Sequence, residues 1–239
     1  MTTVPPPPWG QPKKKSGPPR RTLSQAAIVD AAMRIVDAEG IDALSMRRVA
    51  QALDTGPASL YAHVRNKDEL LQLLLDRAQA GLPRPEPDPE RWQEQIKEVI
   101  RAARAQLAAH RDLARAADQV PLGPNSLINT ETMLAVLRAG GLPPQTIAYA
   151  VDSLALYLVA VVVDDAAREQ RMGHVAEPER SKLREEYTGK VRDYFASLPE
   201  ADFPTTRALA AELTRDVGDE RFEFGLDLMV SGLARLVEG

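Results

Sequence analysis

Apolar residues recur at helical spacing along almost the whole of the chain. Ala27, Ile28, Ala31, Ala32, Ile35 and Val36 form one stripe, which predicts an amphipathic helix from Ser24 to Glu39. Ser24 suits its N-cap, and Gly40 suits a left-handed stop. A second helix is expected from Ser45 to Leu53, a turn at Asp54-Thr55-Gly56, and a third, short helix from Pro57 to Val64. Asn66 should cap a fourth helix, with Glu69 completing a capping box and Leu70, Leu71, Leu74 and Leu75 facing inward. Alternating prolines at 83, 85, 87 and 89 read as a stiff connector.

Longer helices follow. They are expected at Glu90–His110, Leu127–Ala139 and Gln145–Arg168, with a short one at Leu113–Asp118. Residues 171–204 are polar, with a helix near Glu179–Leu198 whose ends should be mobile. Thr206–Arg215 and Glu220–Val237 close the chain. No strand alternation or internal repeat is visible, so the fold class is all-α. An N-terminal helix-turn-helix domain should precede a larger helical domain. The expected divisions are 1–21, 22–80 and 90–239.

Composition narrows the function. The chain has 239 residues and no cysteine, which removes disulfides and thiolate chemistry. Only 5% of residues are aromatic, against 44% hydrophobic. Charge is uneven. Residues 1–80 carry 11 Lys and Arg against 8 Asp and Glu, a net +3; the remaining 159 carry 19 against 26, a net −7. A basic head on an acidic body suggests that the head alone meets a polyanion. Residues 1–21, with four consecutive prolines and three consecutive lysines, should be a disordered arm, either simply solvated or tracking a phosphate backbone. The most apolar stretch, Leu154–Val163, is too short to span a bilayer and reads as a buried helix; no membrane association is expected.

Two helices joined by a tight turn have helix-turn-helix dimensions, and the second of such a pair lies in the major groove. Here it reads PASLYAHV. Leu60 and Val64 should turn inward, leaving Ser59, Tyr61, Ala62 and His63 outward. The three histidines, 63, 110 and 174, lie far apart, and no nucleophile elbow, phosphate loop or dinucleotide turn is present. An enzyme is therefore not expected, and neither a cofactor nor a metal.

The segment Leu23–Leu75, above all SLYAHVRNKDELL, strongly resembles the DNA-binding domain of the TetR repressor family. HRDLAR, the apolar helix ending in VVVDD, and FEFGLDLMVSGLARL resemble the C-terminal half of the tetracycline repressor subgroup. The resemblance implies a guanine contact from Arg47, which Arg48 could share. It implies base contacts from Pro57, Ala58 and Ser59, and phosphate contacts from Tyr61, His63 and Lys67. Ala62 stands where tetracycline members carry tryptophan. Pro83 and Ala117 occupy the positions of the histidines that bind the magnesium–drug chelate, so a more apolar effector is implied.

The Tyr149–Val163 and Glu220–Val237 helices are apolar on more than one side, so each should pair with its copy in a homodimer. An effector pocket is expected among Trp92, Ile96, Leu127, Met133, Leu137 and Tyr157, with His110, Gln119, Asn125 and Asp164 as polar anchors. Together these imply a cytoplasmic, nucleoid-associated regulator. It would act as a repressor that binds a near-palindromic operator on double-stranded DNA and is released by a small molecule. An activator, or a regulator without a ligand, is the alternative.

Overall fold

The computed structural model describes residues 23–110, 112–117, 119–172, 178–215 and 218–237; the basic arm expected over 1–21 and His174 lie outside them. All regular structure among the described residues is helical. The elements are α1 (Gln25–Glu39), α2 (Met46–Ala52), α3 (Pro57–Leu60), α4 (Lys67–Ala78), α5 (Trp92–Ala108), α6 (Pro124–Ala139), α7 (Pro144–Met172), α8 (Glu179–Ser197), α9 (Pro204–Ala208), α10 (Ala210–Leu213) and α11 (Glu220–Arg235).

The head is built from local signals. Ser24 Oγ accepts from Ala27 N–H, Ser45 Oγ from Arg48 N–H, and Asn66 Oδ1 from Glu69 N–H at 2.8 Å. Each cap satisfies a donor that the first helical turn leaves free. Gly40 stops α1 with φ 88° and ψ 167°, a positive-φ conformation that is extended rather than left-handed helical, and its N–H still reaches Val36 O at 2.8 Å. Ile28, Val36, Leu44, Val49, Leu60, Val64, Leu70 and Leu74 fill the interior of the head and leave almost no exposed surface. Leu60 and Val64 are thus inward as their spacing requires.

Several ends differ from the sequence reading. α3 finishes at Leu60, not Val64; Tyr61-Ala62-His63 form a turn in which both His63 N–H and Val64 N–H reach Leu60 O. The four-residue step from Leu60 to Val64 survives, so the inward pair is kept. Glu69 does not close a capping box on Asn66, because its carboxylate accepts from the N–H and guanidinium of Arg65 instead. Leu113–Ala116 is a 3-10 turn, and the stretch read as one helix over Thr206–Arg215 is broken at Leu209 into α9 and α10. α6 begins at Pro124, where proline's missing N–H costs nothing at the first helical position. That start leaves Leu127 outside the core, 56% exposed.

In the body, α5 packs against α6, α7 and α11. α7 is not simply a buried helix. Ile147, Ala150, Leu154, Leu158, Val161 and Val162 face inward, while Tyr149 and Leu156, seven residues apart, stand 67% and 64% exposed. Its span Pro144–Gln170 is long and apolar enough to cross a membrane by length and composition alone. α11 divides in the same way, with Phe222, Leu226 and Val230 inward and Phe224 and Leu228 outward, and Leu236 just past its end is exposed too. Two helices with an apolar outer face as well as an inner one match the expected need for a second copy.

Candidate nucleic-acid interface and effector region

The surface around α3 is small and open. Pro57, Ala58, Ser59, Tyr61, Ala62 and His63 are all exposed, and Tyr61 shows 53% of its surface. The turn between α2 and α3 is held by Thr55 N–H on Ala50 O at 3.0 Å. Asp54 in that turn has φ 51°, the only positive φ of a non-glycine among the described residues. Gln25 Nε2 donates to His63 O at 3.2 Å, bracing the far end of the recognition segment against the start of α1.

The two arginines of α2 separate. Arg48 turns back to Glu39 at the end of α1, with Nη2 donating to Oε1. This hydrogen bond, with the attraction of the guanidinium, holds the Glu39 carboxyl below its ordinary range. Arg47 is exposed, and its side chain makes no ion pair or hydrogen bond among the described residues. Of the two guanidinium groups, that of Arg47 is the one left open to solvent. Lys67 is exposed at the first turn of α4, where helical N–H groups point outward and favour an anion.

The residues expected to form an effector pocket fall into two groups. Trp92, Ile96, Met133 and Leu137 are brought together and buried, all within the same continuous core. Gly140 lies flat on the Trp92 indole, where any Cβ would overlap the ring. Tyr157 is a strut: its ring stacks at 6.0 Å and 4° on Phe222, and its hydroxyl donates to Phe222 O at 3.0 Å. Gly225 makes room for that hydroxyl, and the Arg104 guanidinium sits 4.5 Å from the Phe222 ring centroid.

The four polar anchors do not meet. His110 Nδ1 lies 3.1 Å from Asp37 Oδ1, at the junction with α1. Gln119 is exposed and donates to Arg115 O. Asn125 is bound to Asp76 of α4. Asp164 pairs with Arg221 and Arg168, and the Arg221 hydrogen bond lowers its pKa. Two open clefts lie outside this core. One, of about 570 Å³, runs along α6 past Glu131, Leu134 and Arg138; the other, of about 300 Å³, lies between α1, Arg77 and His110. Sequence spacing alone gave no sign of the α6 cleft, which needs the direction of α6 side chains.

Comparison with known proteins agrees with this geometry. Residues 28–74 match the family model described as bacterial regulatory proteins, tetR family, and residues 84–237 match the tetracyclin repressor-like C-terminal domain. The HTH-type transcriptional repressor DrrR1 of Streptomyces coeruleorubidus is 32% identical over 96% of this chain and 84% of its own length. The class G tetracycline repressor of Vibrio anguillarum is 28% identical over 90% of this chain and 95% of its own. Among solved structures, apo ActR from Streptomyces coelicolor shares 43% identity and a TM-score of 0.78, covering 91% of this chain and 99% of that one. ActR in complex with actinorhodin gives 0.79 at 43% identity, over 89% of this chain and 96% of that one. BioQ with its double-stranded DNA operator gives 0.60 at 26% identity, over 89% and 99%. The two matched models place a tetR-type DNA-binding segment ahead of a tetracyclin repressor-like C-terminal domain, the order in which the head and body are built here. The chain belongs to the tetR family of bacterial regulatory proteins: it is a cytoplasmic, DNA-binding transcriptional regulator that acts as a dimer, and it is not an enzyme.

Proposed function

We propose that the chain is a repressor that sits on a near-palindromic operator and leaves it when a small organic effector binds the body. Residues 22–80 form the DNA-reading head and residues 90–239 the effector-binding and dimerisation body. The observation that carries the reading is the exposed, unpaired Arg47 beside the open α3 surface. In this reading Arg47 reads a guanine, Pro57, Ala58 and Ser59 lie at base edges, and Tyr61, His63 and Lys67 hold phosphates. Arg48 supports α2 through Glu39. Two such heads, about one DNA turn apart, read a two-fold site, and the protein spends its working time on the nucleoid.

The effector lies against Trp92, Ile96, Met133 and Tyr157, reached by parting α5, α6 and α7. No magnesium chelate is needed, since Pro83 and Ala117 cannot ligate a metal. Likeness to ActR, which has been solved in complex with actinorhodin and with (S)-DNPA, makes actinorhodin the first probe. The test is selection of bound duplexes from random DNA, repeated with actinorhodin present. An enriched two-fold sequence that is lost on adding the probe supports the reading. Enrichment that the probe leaves intact sends the search to other ligands, and no enrichment ends the repressor reading.

A further inference from the structure

The first turn of α6 has no cap from its own neighbourhood. Gly123 stands at its N-cap and offers no side chain. The cap comes instead from α4, 49 residues back. Asp76 Oδ1 accepts from Asn125 N–H at 2.7 Å and from Ser126 N–H at 3.2 Å, and Oδ2 accepts from Asn125 Nδ2 at 2.9 Å. Asn125 Nδ2 also reaches Asp76 O at 3.3 Å. Gly123 is required by this arrangement, because a Cβ there would overlap the Asp76 carboxylate. The contact is flanked on both sides. Gln72, one turn earlier on α4, donates to Leu122 O at 3.4 Å, and the buried Asn129 of α6 donates to Gln79 O at 2.9 Å.

Gln72 and Asp76 are spaced i, i+4 on α4, opposite the face that buries Leu70 and Leu74 in the head, and the Gln79 carbonyl follows at the helix's C-cap. α4 therefore belongs to the head by its apolar face and to α6 by its polar one. A helix N-terminus favours an anion, and hydrogen bonds to a carboxylate lose strength within a few tenths of an ångström. A shift of α6 must then either carry Asp76 along or leave its own first turn uncapped.

We propose that Asp76 is the positioning residue that couples α6 to the DNA-reading head, through a helix cap shared between them. The proposal rests on the regulator reading above. It makes a reciprocal demand, because a coupling free energy acts equally in both directions. Operator binding must tighten the start of α6 even with no effector present.

Hydrogen exchange on the full-length dimer tests this, with the operator found by selection as the probe. In the native protein, operator should slow exchange at the Asn125 and Ser126 amides by about fivefold or more, the lower end of ordinary coupling. In Asp76→Ala, and independently in Gly123→Ala, that protection should fall below about twofold, and by the same linkage effector-free operator affinity should fall by about the factor by which operator protects the native amides. Gly123→Ala attacks the contact from the other helix and keeps the proposal testable if Asp76→Ala fails to fold. Undiminished protection in both folded variants overturns the proposal, as does native protein whose α6 amides ignore the operator. Failure to select any operator is a different result, seen before a variant is made, and removes the regulator reading on which the coupling rests.

Discussion

Arg47 and Arg48 are adjacent in the chain and opposed in what they can do. Arg48 is spent on Glu39, and Arg47 is free. Arg47→Ala should cost about 1–3 kcal/mol in operator binding and relax preference at one base pair. Arg48→Ala should instead lower the melting temperature and leave base preference intact; competition assays with single-base operator variants separate the two. Lys67→Ala should weaken binding to every duplex alike and reduce the slope of log affinity against log salt by about one. The pairing of Arg48 was not legible in the sequence, because Glu39 lies nine residues away across the end of α1 and only the entry geometry of α2 brings them together. The outward set of Ser59, Tyr61, Ala62 and His63 was legible, since it follows from Leu60 and Val64 alone.

At the scale of the element, the caps were the readable part. Ser24, Ser45 and Asn66 each do what a short polar side chain before an apolar run does. Ser45→Ala should lower stability by about 1 kcal/mol, measured by thermal or denaturant unfolding. The start of α6 was misread although Pro124 is a local signal for a first helical position, because Gly123 before it offers no capping side chain and the capping carboxylate sits on α4. The polar anchors of the body were unreadable for a related reason. Asp164 and Asn125 look free in sequence, and only tertiary neighbours reveal them as partners of Arg221 and Asp76. Arg221 depresses the Asp164 pKa, and a depressed acid stabilises the fold above its ordinary pKa and loses that contribution as pH falls through the folded value. The melting difference between native protein and Asp164→Asn should therefore be present at neutral pH and close below about pH 4.

For the whole molecule, the outward faces of α7 and α11 decide the assembly. Tyr149, Leu156, Phe224 and Leu228 expose large apolar side chains on the outer faces of these two helices, the surface on which a second copy would pack. Phe224→Glu combined with Leu228→Glu should yield monomers in sedimentation at micromolar concentration, with the head still folded by circular dichroism. Operator affinity should collapse, because one head reads only a half-site.

Trp92, Ile96, Met133 and Leu137 are closed into the core, and this has a consequence for timing. An inducer bound for that place meets no standing doorway and must wait for the helices to part. Its observed binding rate in stopped-flow should then bend towards a plateau as concentration rises, the ceiling being the rate of opening. At that ceiling a longer exposure accomplishes what a higher dose cannot. In the proposed reading, such a switch should respond to the length of an exposure as well as to its dose.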